Sequence, residues 1–329
     1  EQDQGEQDQG EQDQGEQDQG EQDQGEQDQG EQGEQGEQDQ GEQISEADRA
    51  TDSVIAQAKI YDITPAVNDW VSWVQKFRTC AERRGLKVTI SPRASNRGAI
   101  MLAHGIDLGN VAMLEIGNRM SPTDWANLRQ DAGITPPTPV ISRHSYMRHK
   151  QTDLLMALVR AGIHVWLKGP AGSGKSTAAK LAADAASRPF YFTGAVDSKY
   201  DLTGFVDAQG RAVNTQFRRA FIEGGLFLFD EIDGSTPSSL LAFNGMLANL
   251  KADLPGFTEP VNAHETFCVV AAANTNGSGA TAQYSGRFKQ DDAATDRFAM
   301  MLWDIDSDLE REIAVASARK VAAKLGKVA

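Results

Sequence analysis

The chain has 329 residues, 40% of them hydrophobic, and a formal net charge of −15. Of its 47 acidic residues, 17 fall in residues 1–43, so the body from Ile44 onward holds 30 acids against 32 bases and is close to neutral. That length suits one large or two modest domains, and no apolar run approaches the roughly 20 residues of a membrane-spanning helix. The two cysteines, Cys80 and Cys268, lack metal-ligand spacing and the five histidines are scattered, which predicts no metal site of that kind and fits a reduced, cytoplasmic protein.

Residues 1–43 repeat Glu-Gln-Asp-Gln-Gly without one apolar side chain. With nothing to bury, they are predicted to form a disordered, solvating tail. A capped helix is predicted over Ser45–Ala58. A longer one over Ala66–Arg84 places Val67, Trp70, Val71, Val74 and Phe77 at three- and four-residue spacing, and Gly85 stops it. Leu86–Ile90 reads as a short strand or extended piece, Ser91-Pro92 opens a helix to about His104, and Leu108–Met120 reads as another short helix. Gly133, Pro136, Pro137 and Pro139 mark residues 131–140 as a linker between a helical segment, 44–130, and a core, 141–307. From Arg148 the pattern alternates: helix to Ala161, strand Ile163–Leu167, helix Lys175–Ala186, then strands at Phe190–Phe192, Gly225–Phe229 and Phe267–Ala272, with a helix over Pro237–Leu250. This alternation predicts a parallel sheet flanked by helices. A polar-faced helix closes the chain in 308–329.

Gly169-Pro170-Ala171-Gly172-Ser173-Gly174-Lys175-Ser176 fits G-x-x-x-x-G-K-[ST] between an apolar strand and a helix start, and Thr177 follows it. Glycines let backbone N–H groups close around phosphate oxygens, and the helix N-terminus adds a favourable dipole. Lys175 is expected to reach the β- and γ-phosphates of ATP, and Ser176 to ligate Mg²⁺. Leu226-Phe227-Leu228-Phe229 delivers Asp230 toward that metal and Glu231 as the base for the attacking water. The strand ending at Ala272 delivers Asn274 to hold the γ-phosphate or the lytic water.

The run from Trp166 to Asp306 resembles the MoxR-like branch of the AAA+ ATPases, especially the ATPase subunits of aerobic cobaltochelatases (CobS). The segments that carry the resemblance are Gly169–Thr177, Asp201–Phe205, Gly224–Asp233, Ala273-Asn274-Thr275, Tyr284-Ser285-Gly286-Arg287 and Asp296-Arg297-Phe298. The resemblance implies a homo-oligomeric ring, commonly a hexamer, with ATP at subunit boundaries. It implies that Arg297 reaches a neighbour's γ-phosphate, with Arg287 as the rival for that role, and that Thr203–Phe221 forms hairpin and loop elements near a pore. There Phe205, Gln216 and Arg218 would touch a client, a partner protein often carrying a von Willebrand A-type domain. Trp73–Gly105 is similar to the small all-helical lid of the same branch, here placed ahead of the glycine-rich loop. As a lid, it would point Arg93 at the phosphates.

The fold class expected is therefore α/β, a P-loop NTPase of AAA+ type with a helical lid-like subdomain. Its expected function is remodelling of a partner protein at the expense of ATP. A nucleic-acid motor or loader is the alternative, disfavoured by the absence of a concentrated basic stripe or stacking aromatics. A nucleotide-gated scaffold without turnover is the other, disfavoured by intact Lys175, Asp230 and Glu231.

Overall fold

The computed structural model describes residues 64–140, 147–275, 288 and 292–325. The repeat tail, the helix expected over Ser45–Ala58 and the segment holding Arg287 lie outside the described residues. All the described residues belong to one compact unit within Ile44–Ala329.

Among the described residues four helices come first: α1 (Thr64–Arg84), α2 (Pro92–Ala103), α3 (Leu108–Glu115) and α4 (Pro122–Ala132), with a 3₁₀ turn at Gly117–Arg119. Helix α1 forms because Trp70, Val74, Phe77 and Ala81 share one face, and all four are buried. Gly85, at φ +63°, ends it in the left-handed conformation that other residues resist. Helix α2 starts where Ser91 Oγ accepts from the Arg93 N–H (3.1 Å) and Pro92 takes the first turn. It crosses α1 closely because Gly98 offers no Cβ; one would meet the Trp70 indole at 2.0 Å. Trp70 Nε1 in turn donates to Ala94 O (3.1 Å).

The helix expected over Leu108–Met120 stops at Glu115, and the turn at Gly117–Arg119 takes its place. Helix α4 has no counterpart among the predicted elements, although Ser121-Pro122 caps it as clearly as Ser91-Pro92 caps α2. Residues 86–90, expected as a short strand or extended piece, hold neither helix nor strand, and the same is true of residues 134–140.

The rest alternates: α5 (Thr152–Arg160), β1 (Val165–Lys168), α6 (Lys175–Ala185), β2 (Phe190–Thr193), α7 (Tyr200–Thr203), β3 (Phe205–Val206), β4 (Ala212–Val213), α8 (Gln216–Glu223) and β5 (Leu226–Phe229). After a 3₁₀ turn at Ile232–Gly234 come α9 (Pro237–Asn249), β6 (Lys251–Ala252), β7 (Val261–Asn262), β8 (Cys268–Ala273), α10 (Asp292–Thr295), β9 (Ala299–Leu302) and α11 (Ser307–Leu325). Strands β3 and β4 form one small hairpin, β6 and β7 another. Five strands make a wholly parallel sheet in the order β2-β5-β8-β1-β9. Strand β9 is absent from the predicted elements because Ala-Met-Met-Leu carries no β-branched residue. Its pairing with β1 overrides that weak propensity.

Alternation along the strands sorts the core onto two faces. Val165, Leu167, Leu228, Val270 and Met301 pack in one cluster with α5, α6 and the buried faces of α1 to α4. Trp166, Phe227, Phe229, Val269 and Met300 pack in the other with α8 and α9. The N-terminal helices thus share a continuous core with the sheet. Of the residues expected to meet a client, Phe205 and Gln216 are exposed, but Arg218 is buried on the inner side of α8. Its guanidinium donates to Pro255 O (2.6 Å) and Thr203 O (3.3 Å), which holds it inward.

Candidate active site

Strand order decides which loops meet. Strands β5, β8 and β1 are neighbours, and neighbouring strands lie about 4.8 Å apart, so the loops at their carboxyl ends converge. The chain reaches β9 on the far side of β1 from β8, making β1 the point where strand order reverses. Ligands in open α/β sheets bind at that point. A cleft of about 360 Å³ lies there, lined by residues 171–177, Asp230, Glu231 and residues 272–274.

The loop between β1 and α6 is shaped by two glycines. At Gly169 a Cβ would sit 1.8 Å from Trp303 O, so only glycine lets the loop pass the strand-end backbone. Gly174 caps α6 at φ +83°, which turns the backbone N–H groups of the helix start toward the cleft. The loop is anchored from behind. Trp303 Nε1 donates to Ser173 O (3.0 Å), and the fully buried Trp303 ring stacks on His149 at 4.0 Å. His149 holds its place through Nε2 to Asp304 O (2.8 Å) and by accepting at Nδ1 from the Gln151 N–H (3.2 Å). Burial keeps this imidazole below its ordinary pKa, and so neutral.

Lys175 folds its ammonium against the loop, donating to Gly169 O (2.9 Å) and Pro170 O (2.8 Å). Ser176 Oγ donates to Asp230 Oδ2 at 2.7 Å, so the strand β5 carboxylate and the α6 hydroxyl meet at the mouth of the cleft. These are two hard oxygen donors side by side, the set a hexacoordinate Mg²⁺ accepts when its other positions are water and phosphate. Glu231 follows at φ +52°, exposed, with its N–H donating to Asp230 Oδ1 (3.0 Å). A non-glycine residue held in that left-handed region is strained, and the turn aims Glu231 away from the line of β5.

Asp233 has no role in the sequence-based expectations. It is fully buried, and its Oδ2 accepts from the N–H of Asn274 (3.2 Å), the N–H of Thr275 (3.0 Å) and Thr275 Oγ1 (2.9 Å). Asp233 therefore ties the Glu231 turn to the end of β8 and sets the backbone that carries Asn274. The available signal was an acid two residues past Glu231 in a strand-end turn, where surface exposure is the usual state.

Two predicted residues are not brought to the cleft. Arg93 lies at the start of α2, but its Nη1 pairs with Asp296 Oδ2 at 3.1 Å, with half of its side chain exposed. Asp296 and Arg297 precede β9, whose first residue, Ala299, pairs with Val165 at the start of β1. The glycine-rich loop leaves the other end of β1, a strand length of about 10 Å away. Arg93 and the half-buried Arg297 thus share the opposite edge of the sheet.

The profile of the AAA domain (dynein-related subfamily) matches residues 164–298, the region that holds this cleft. An uncharacterized protein of Staphylococcus saprophyticus is 30% identical over 169 residues, covering 48% of this chain and 62% of that protein. One from Staphylococcus haemolyticus is 29% identical over the same shares. The chain thus spans about three-fifths of the length of these relatives. Among solved structures, NtrX from Brucella abortus in complex with ATP aligns with a TM-score of 0.38 at 16% identity, over 56% of this chain and 42% of that one. The Thermotoga maritima RuvB Holliday junction branch migration motor aligns with a TM-score of 0.33 at 18% identity, over 51% and 50%. The region is thus a parallel α/β sheet with a glycine-rich loop, similar over residues 164–298 to the AAA domain of the dynein-related subfamily.

Proposed function

We propose that the chain hydrolyses ATP and works as a ring of identical copies, of MoxR or CobS type, that remodels a partner protein. The observation that carries this reading is the 2.7 Å contact between Ser176 Oγ and Asp230 Oδ2 at the mouth of the glycine cradle, with Glu231 next in sequence. ATP would lie with its β- and γ-phosphates over residues 171–176. Lys175 would exchange its two carbonyl partners for phosphate oxygens. Ser176 and Asp230 would hold Mg²⁺, which would neutralise part of the phosphate charge. Glu231 would take the proton of a water placed in line with the γ-phosphate, and Asn274 would orient that water.

Arg297 enters as a group acting on a neighbour. It sits about 10 Å of strand from its own cradle, farther than its side chain spans, on an edge a second copy can approach. A guanidinium delivered there would stabilise charge developing on the γ-phosphate, an effect of about 10³-fold or more in rate. Arg287, outside the described residues, is the other candidate for this role. Arg93, bound to Asp296, would serve at the same edge instead of at its own phosphates. The partner protein is proposed to carry a von Willebrand A-type domain, and hexameric closure and cobaltochelatase service are the narrowest forms of the reading.

Glu231→Gln tests the core of it. The full chain carrying that change is expected to bind ATP with unchanged affinity and to hold it uncleaved, with turnover reduced about 10²-fold or more. Equal, background hydrolysis by wild type and variant would instead leave a nucleotide-binding scaffold.

A further inference from the structure

The backbone on both sides of Arg297 is held by side chains from the N-terminal helical segment. Thr295 O accepts from Arg119 Nη1 (3.3 Å), Asp296 O from Arg97 Nη1 (2.5 Å) and Phe298 O from Arg119 Nη2 (2.6 Å). The Asp296 carboxylate, 2% exposed, accepts from Ser91 Oγ (2.7 Å) in addition to Arg93. Both inner arginines are fixed in turn by Glu115. Arg97 forks onto its carboxylate through Nε (2.9 Å) and Nη2 (2.6 Å), and Arg119 Nε donates to its carbonyl (2.7 Å). Glu115 is itself buried at 1% exposure.

Stability alone is a poor reason for this arrangement. Buried ion pairs are often no more stabilising than well-packed apolar residues of similar volume. What forked guanidiniums supply is direction, since a planar donor set fixes the orientation of what it binds. The carbonyls held here are those of residues 295, 296 and 298, which bracket Arg297. A group that must meet a phosphate across a subunit boundary needs that fixity, because a misplacement of about 1 Å can lower a rate by about 10²-fold.

We propose that Arg97, Arg119 and Glu115 are positioning residues that hold Arg297 for a nucleotide bound by a neighbouring copy, so that the N-terminal helical segment serves the next subunit's active site. This rests on the proposed trans-acting role of Arg297. The clamp acts through Arg297 and touches no nucleotide of its own chain.

The test uses full-length chains carrying Arg119→Ala, Arg297→Ala or Glu231→Gln, alone and mixed before assembly. Arg119→Ala is expected to lower kcat about 10- to 100-fold while KM stays within about twofold, since its own cradle is intact. Mixed with Glu231→Gln it is expected to regain a rate well above either alone. In such rings the Arg119→Ala copy offers a sound nucleotide site, and the Glu231→Gln copy a sound Arg297. A structural defect, or an action on the chain's own nucleotide, gives no recovery and overturns the proposal. A wild-type rate for Arg119→Ala beside a slow Arg297→Ala overturns the clamp and leaves the trans-acting arginine standing. A wild-type rate for Arg297→Ala removes that reading and the clamp with it. Should Arg119→Ala fail to fold, Arg119→Lys keeps the charge, loses the fork and is judged by the same outcomes.

Discussion

Replacing Asp233 with alanine removes the side chain that ties the Glu231 turn to the end of β8. Three hydrogen bonds of 2.9 to 3.2 Å end on its Oδ2, two of them from backbone N–H groups. The Thr275 hydroxyl can rotate to another acceptor, but the two N–H groups cannot. Each buried donor left without its acceptor costs about 1–3 kcal/mol, and relief of the buried carboxylate's desolvation offsets part of that. A net loss of about 3 kcal/mol is expected, or roughly 6–12 °C in Tm for a domain of this size. Turnover should fall more than binding. Asn274 depends on this anchor, whereas the cradle is held independently by Trp303 and by the Ser176 to Asp230 contact. Thermal unfolding by circular dichroism, with steady-state ATP hydrolysis and equilibrium ATP binding, reads all three quantities on the full chain. Asp233→Asn keeps one acceptor oxygen without the charge and should fall between. A stability within about 0.5 kcal/mol of wild type together with unchanged turnover would refute the anchoring role.

Gly169→Ala places a methyl 1.8 Å from Trp303 O and 2.7 Å from its carbonyl carbon, both backbone atoms, so the loop itself must shift. ATP affinity measured by calorimetry is expected to drop at least about tenfold, or about 1.4 kcal/mol; an unchanged affinity contradicts the close-approach argument. His164 supplies the pH dependence. Its Nδ1 accepts from the Val269 N–H (3.1 Å), and burial, with the Arg97 and Arg188 charges adding, lowers its pKa to about 4. The unfolded chain, with an ordinary value near 6.5, therefore binds the proton first. This contribution to stability is present above about pH 6.5 and lost as pH falls toward 4, on the order of 2 kcal/mol once its partial exposure is allowed for. Urea unfolding between pH 7 and 4.5 should show that slope, and His164→Asn should flatten it.

The glycine-rich loop and the Asp230-Glu231 pair at one cleft are legible in the sequence because their pattern is local. A glycine-rich turn between strand and helix, and two acids at a strand end, declare themselves within a dozen residues. Strand β9 is not legible, because Ala299–Leu302 has no strand-like composition and exists by pairing with β1. Asp233 is hidden for a related reason. Its partners lie more than 40 residues away at Asn274 and Thr275, and nothing in its neighbourhood signals burial.

Arg93 is the most instructive difference. Its helix start at Ser91-Pro92 follows from cap chemistry, but a cap fixes where a helix begins and says nothing of what it faces. That is decided by α1 to α4 joining the core of one sheet face and by the 3₁₀ turn running along β9, where Asn118 Nδ2 donates to Met300 O (2.8 Å) and Arg119 to Phe298 O. Strand β9 is an edge, so its outer carbonyls need donors. Asn118 and Arg119 meet that need from a turn, and in doing so draw Ser91, Arg93 and Arg97 to the loop before the strand. The same contacts that close the sheet edge thereby gather a cluster of arginines around residue 297, at the end of the sheet away from the chain's own cradle.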